Sequence, residues 1–207
     1  MTTADEQTGR YRQRRRTRAA IVTAAMGLLK DGAAPSMSQI AEAADVSRRT
    51  IYLYFPTLEQ LLLDATLGAL TQKPVDEAIE AADPGGHDAQ ARVEAMVAAI
   101  DSLSAETLPL GRSLIRLTLD QPADGGVPRR GYRRVAWIEQ AIEPLRDRLG
   151  PERFWRLVSA LAMVIGWEAR IVLQDIRGLP PDQQGEVSLW AARALIAAAL
   201  AEEPPAS

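Results

Sequence analysis

Residues 36–60, SMSQIAEAADVSRRTIYLYFPTLEQ, constrain the fold more than any other stretch of this chain. They carry start signals for successive helices. Ser36 with Gln39, and Thr57 with Gln60, have the spacing of capping boxes, and Ser47 is placed to cap the helix between them. Ile40, Ala41, Ala44, Val46 and Ile51 fall on one apolar face that continues across the intervening turn. The pattern predicts helices over 36–44 and 47–54 joined by a tight turn, with another opening at 57. The middle helix presents Arg48, Arg49, Thr50, Tyr52 and Tyr54. A short helix that exposes arginines and tyrosines, braced by an apolar partner, suits the major groove of DNA.

Helical spacing continues on both sides. Residues 1–9 read as a disordered tail. Ile21, Ala24, Ala25, Leu28 and Leu29 predict a helix from about Arg14 to Lys30, ended by Gly32. The helix over 57–72 is apolar on two faces, as expected of a helix packed on both sides. Pro74 and the run Asp83-Pro84-Gly85-Gly86 break the pattern. Further helices are expected over 88–105, 107–119 and 132–149, the last interrupted at Pro144. Residues 121–131, QPADGGVPRRG, are expected to form a loop. Gly150-Pro151 opens one long helix to about Arg177, and a final helix covers 182–202. No alternating strand pattern and no internal repeat appear. The fold class is all-α, with about nine helices.

The chain has 207 residues, 47% of them hydrophobic, which allows a sizeable core. Net charge is −3, which by itself argues against a nucleic-acid partner. Its distribution reverses that reading. Residues 1–55 hold nine basic and five acidic residues, six of the arginines lying between 10 and 18; the rest of the chain holds 15 basic and 22 acidic. A basic head on an acidic body puts any polyanion contact at the head. With no cysteine, disulfides and thiolate metal sites are excluded. No apolar run reaches 18 residues and the N-terminus lacks a signal-peptide core, so a cytoplasmic protein is expected.

The segment from Ile40 to Leu62, IAEAADVSRRTIYLYFPTLEQLL, resembles the motif IAxxAGVSxGTxYxYFxxKExLL of TetR/AcrR-type transcriptional regulators. The resemblance implies a DNA-binding domain, here 10–56, and a larger helical domain, 57–207, for ligand binding and dimerisation. It also implies a homodimer on a palindromic operator, with repression as the family default. Three positions depart from the motif. Asp45 replaces the turn glycine, and Asp tolerates a left-handed turn better than most residues. Arg49 replaces a small residue and adds a cation to the recognition helix. Leu58 replaces a lysine that meets a phosphate in the family.

Arg48 and Arg49 are the candidate base readers, since arginine can take guanine O6 and N7 together; contact with phosphate alone is the other reading. Thr50 would touch a thymine methyl or a phosphate. Tyr52 and Tyr54 resemble the family's phosphate-contacting tyrosines. Ser36, Ser38, Ser47 and Thr57 would serve phosphates from helix starts, and Arg14 and Arg18 the backbone or minor groove. For an apolar ligand cavity the candidates are Met96, Ile100, Leu114, Trp137, Met163 and Trp167, with Arg112, Arg116 and Glu168 to orient a small-molecule effector. Leu157, Leu161, Ile165, Val172, Trp190, Ala194, Leu195 and Ala198 are candidates for a dimer interface, because the last two helices are apolar on more than one side. An enzyme is not expected: the chain has one histidine, His87, and no phosphate loop, nucleophile elbow or metal-ligand cluster, and no cofactor is implied. The alternative function is a helical DNA-binding regulator whose C-terminal domain answers to a protein partner or to no ligand.

Overall fold

The computed structural model describes residues 4–30, 35–119 and 130–202. Among these there are ten α-helices, one short 3₁₀ turn and no strand. The all-α expectation holds. The expected stop at Gly32 and most of the 121–131 loop lie outside the described residues.

The described residues divide into two compact units, the first ending at Leu70 and also taking Thr107–Tyr132, the second taking the remainder. The division falls inside a helix rather than at 56/57. In the first unit α1 spans Ala4–Lys30, so residues 4–9, expected in a disordered tail, are helical. Then come α2 (Met37–Ala43), α3 (Arg48–Tyr54) and the start of α4 (Leu58–Ala82). Ile21, Val22, Ala25, Met37, Ile40, Ala41, Ile51, Phe55, Leu61, Ala65 and Tyr132 form its buried core. The apolar face read across the turn is thus the core-facing one. The capping box at Ser36 is complete: Gln39 N donates to Ser36 Oγ at 3.3 Å and Ser36 N donates to Gln39 Oε1 at 2.9 Å. Asp45 takes the left-handed conformation, φ 51°, as expected of a residue standing where the family has glycine.

Helix α4 does not stop before Pro74 but runs through it to Ala82. Proline removes one helical hydrogen bond, that to the Leu70 carbonyl, at a cost of roughly 3 kcal/mol. Burial of Val75 and Ile79 beyond it holds the helix on course. In the second unit α5 (Ala89–Ser102), α7 (Tyr132–Ala141) from Arg133 onward, α8 (Arg146–Val164), α9 (Trp167–Asp175) and α10 (Pro181–Ala201) enclose a core that includes Val93, Met96, Trp137, Ile138, Phe154, Leu157, Leu161 and Ile196. Helix α6 (Ser104–Leu119) belongs to the first unit from Thr107 onward. Pro144 does interrupt, as a 3₁₀ turn over Glu143–Leu145.

The single long helix expected over 151–177 is two. It breaks at Ile165 and at Gly166, whose φ of 109° and ψ of −169° are open to glycine and strained for other residues. The segments on either side meet at 42°. An unbroken apolar stripe does not report such a break, because Ile165 remains buried in the bend. No single helix among the described residues is long and apolar enough to cross a membrane.

Candidate nucleic-acid interface

Helix α3 is built to expose one face. Its start is capped by Ser47, whose Oγ accepts from Thr50 N at 3.0 Å and shares a 2.8 Å hydrogen bond with Thr50 Oγ1. Its inner side is fixed by Ile51 and by Phe55 immediately after it, both wholly buried. Arg48, Arg49 and Tyr52 consequently stand in solvent, while Thr50 and Tyr54 are half-buried. Ser36, Ser38, Ser47 and Thr57 are exposed, at or near the starts of α2, α3 and α4, and Gln60 N donates to Thr57 Oγ1 at 3.2 Å. These residues all belong to one compact unit. Arg14 is half-buried on α1.

Arg18 departs from its expected role. It is 1% exposed and therefore lies beyond the reach of a duplex. Its Nη1 donates to the Tyr54 carbonyl at 2.9 Å, its Nη2 lies 3.1 Å from Asp64 Oδ2, and its guanidinium sits 4.0 Å from the centre of the Phe55 ring. A cation against the last carbonyl of α3 complements the negative end of that helix. Arg18 thus ties α1 to the end of α3 and to α4. Asp64, its partner, was not among the sequence candidates; its one signal there is to be the single charge between Glu59 and Lys73 in an apolar stretch.

The residues expected to line a ligand cavity are divided between the two units. Arg112, Leu114 and Arg116 belong to the first unit, where Leu114 is buried and Arg116 exposed. In the second, Met96 and Trp137 are core residues, Ile100 packs against that core, and Trp167 is half-buried. Met163 is 78% exposed, which removes it from any enclosed cavity. The Trp137 indole N–H donates to Asp76 at 2.8 Å. Burial pushes the Asp76 carboxyl above its ordinary range, and the indole bond draws it partly back. Glu168 is ion-paired with Arg134, and buried Arg170 with Asp101.

Three of the expected dimer contacts are corrected as well. Leu157, Leu161 and Ile165 are buried inside the chain, where they fill the second core. Leu195 is half-buried; Val172, Trp190, Ala194 and Ala198 are exposed. Trp190 is 72% and Ile176 76% exposed, so α9 and α10 do present large apolar side chains to solvent.

A capped pair of short helices, with a left-handed turn between them and cations on the outward face of the second, has the form of a helix-turn-helix head. Residues 21–65 match the family model of bacterial regulatory proteins, tetR family. This segment is therefore similar to the N-terminal part of tetR-family regulators. A solved structure, described as the TetR-like transcriptional regulator LfrR from Mycobacterium smegmatis in complex with proflavine, is similar at 23% identity over 93% of this chain and 99% of its own, with a TM-score of 0.31. No curated protein matches the chain.

Proposed function

We propose that the protein is a homodimeric repressor that binds a palindromic operator through α3 and is released by a small ligand held in the second unit. The observation that carries the DNA contact is the outward face of α3, where Arg48, Arg49 and Tyr52 stand exposed on a helix pinned from behind by Ile51 and Phe55. In this reading the arginines meet guanine edges in the major groove. Tyr52, Tyr54, Thr50, Ser36, Ser38, Ser47, Thr57 and Arg14 place the helix by phosphate contacts. The dimer is supported by the exposed Trp190, Ile176 and Val172, since large apolar side chains left in solvent are covered when a twofold mate presents the same residues. Two heads then sit in successive major grooves about 34–36 Å apart. A ligand releases them only to the extent that it binds the released state more tightly.

A second reading has its own observation. Met96 and Trp137, expected to line a cavity, fill the core of the second unit, and Met163 faces solvent. On that basis the second unit serves dimerisation and answers to a protein partner or to nothing small. Selection of bound fragments from a genomic DNA pool, followed by sedimentation of the protein with the selected duplex, tests both the operator and the stoichiometry. Recovery of inverted half-sites bound by two chains is the expected result. Recovery of no preferred sequence overturns the proposal.

A further inference from the structure

We infer that Leu53 reads thymine, by packing against its 5-methyl group in the major groove. The inference rests on the DNA-binding reading of α3. At 3.6 residues per turn, Leu53 lies about 200° around the helix from Ile51, as does Arg49 in the other direction. Because Ile51 is wholly buried, Arg49 and Leu53 mark the part of α3 that stands farthest from the core. They are four residues apart, one above the other on the same stripe. Leu53 is 65% exposed, on a helix that also exposes Arg48, Arg49 and Tyr52, all hydrogen-bond donors.

A single exposed leucine is unremarkable on most protein surfaces. Its place here is what gives it meaning. The side chain has no hydrogen-bonding group, so it reads neither a phosphate nor a polar base edge. Among the features that base pairs display in the major groove, the thymine methyl is the apolar one. No carboxylate lies on α3, and the two adjacent arginines favour a polyanion over an apolar protein surface as the occupant of this face. One turn of helix advances about 5.4 Å, so the thymine lies within about two base pairs of the guanine taken by Arg49.

The test uses the full chain and the operator recovered by selection. Each thymine of a half-site is replaced in turn by deoxyuridine, which removes the methyl and nothing else. At one position the wild type should lose roughly 3- to 5-fold in affinity, the value of one apolar carbon withdrawn from water. Leu53→Ala should show a similar loss on the unmodified operator and be indifferent to deoxyuridine at that position. Arg49→Ala should remain sensitive to it. An unchanged melting temperature for Leu53→Ala separates this result from misfolding. If deoxyuridine affects wild type and Leu53→Ala equally at every position, Leu53 does not read thymine, although the DNA-binding reading stands. If the wild type selects no DNA, the reading of α3 itself fails.

Discussion

Arg18 and Asp64 form an ion pair 3.1 Å long whose side chains are almost wholly removed from solvent. The two residues are 46 positions apart, and the same guanidinium holds the Tyr54 carbonyl at 2.9 Å. A buried charge is tolerated where a partner and hydrogen bonds replace its water. Here the replacement also fixes where α3 ends.

Arg18→Met should destabilise the protein by about 3–5 kcal/mol, because the Asp64 carboxylate stays buried after its cation is gone. Urea unfolding measures this. The double variant Arg18→Met/Asp64→Leu should lose less than the sum of the single losses. Operator affinity should fall in Arg18→Met even under conditions where it is fully folded, since the end of α3 is no longer held. An Arg18→Met protein as stable as the wild type would show that the pair contributes nothing.

Arg48→Ala and Arg49→Ala should each weaken operator binding by about 1–3 kcal/mol and relax preference at one base pair if each reads guanine. A residue that meets only phosphate should instead weaken binding on all sequences and lower the salt dependence by about one unit of slope. Titrations at several salt concentrations, on operator and on unrelated duplex, separate the two. Full binding by the double variant would remove α3 from the interface.

Trp190→Asp should convert the proposed dimer to monomer at micromolar concentration. A tryptophan covers about 150–250 Å² when buried, and a carboxylate in its place would be buried without a partner. Sedimentation velocity reports the change, with circular dichroism to check that the helices persist. A dimer that survives the substitution would place the interface elsewhere.

The Asp76 carboxyl is raised chiefly by burial, with a smaller upward push from Glu80, against the Trp137 and Gln72 hydrogen bonds. The folded protein therefore holds this proton to higher pH than the unfolded chain does. Between the ordinary value of 3.8 and the raised one, this group's contribution to stability falls as pH rises, and the deficit persists at neutral pH. Asp76→Asn keeps an acceptor for the indole. It should melt above the wild type at pH 7 and match it near pH 3. A difference independent of pH would show that ionisation of Asp76 is not the cause.

The head was legible because its signals are local. Ser36 and Gln39 are three residues apart, the apolar face spans Ile40 to Ile51, and Asp45 is of a type that tolerates the left-handed turn it adopts. Arg18 was misassigned because its partners, Asp64 and the Tyr54 carbonyl, are remote in sequence, and six clustered arginines look alike until one is found inside. Helix α4 was cut short at Pro74 because the penalty is local and the compensating burial of Val75 and Ile79 is not. Leu157 and Leu161 were assigned to a partner because a stripe shows that a face is covered without showing by what. The same ambiguity holds for Met96 and Trp137, whose apolar stripes are equally those of a core.

Gly166 has no side chain, yet two independent demands meet on it. Its φ of 109° disfavours any β-carbon, and a β-carbon built there would overlap the guanidinium of Arg134, which is engaged with Glu168. In a library of all substitutions, then, position 166 should be as depleted as Phe154 or Ile138 in the core. A compensating change at Arg134 would clear the space without relieving the backbone. A change at Arg134 therefore does not rescue it, and the bend between α8 and α9 rests on the backbone freedom of one residue.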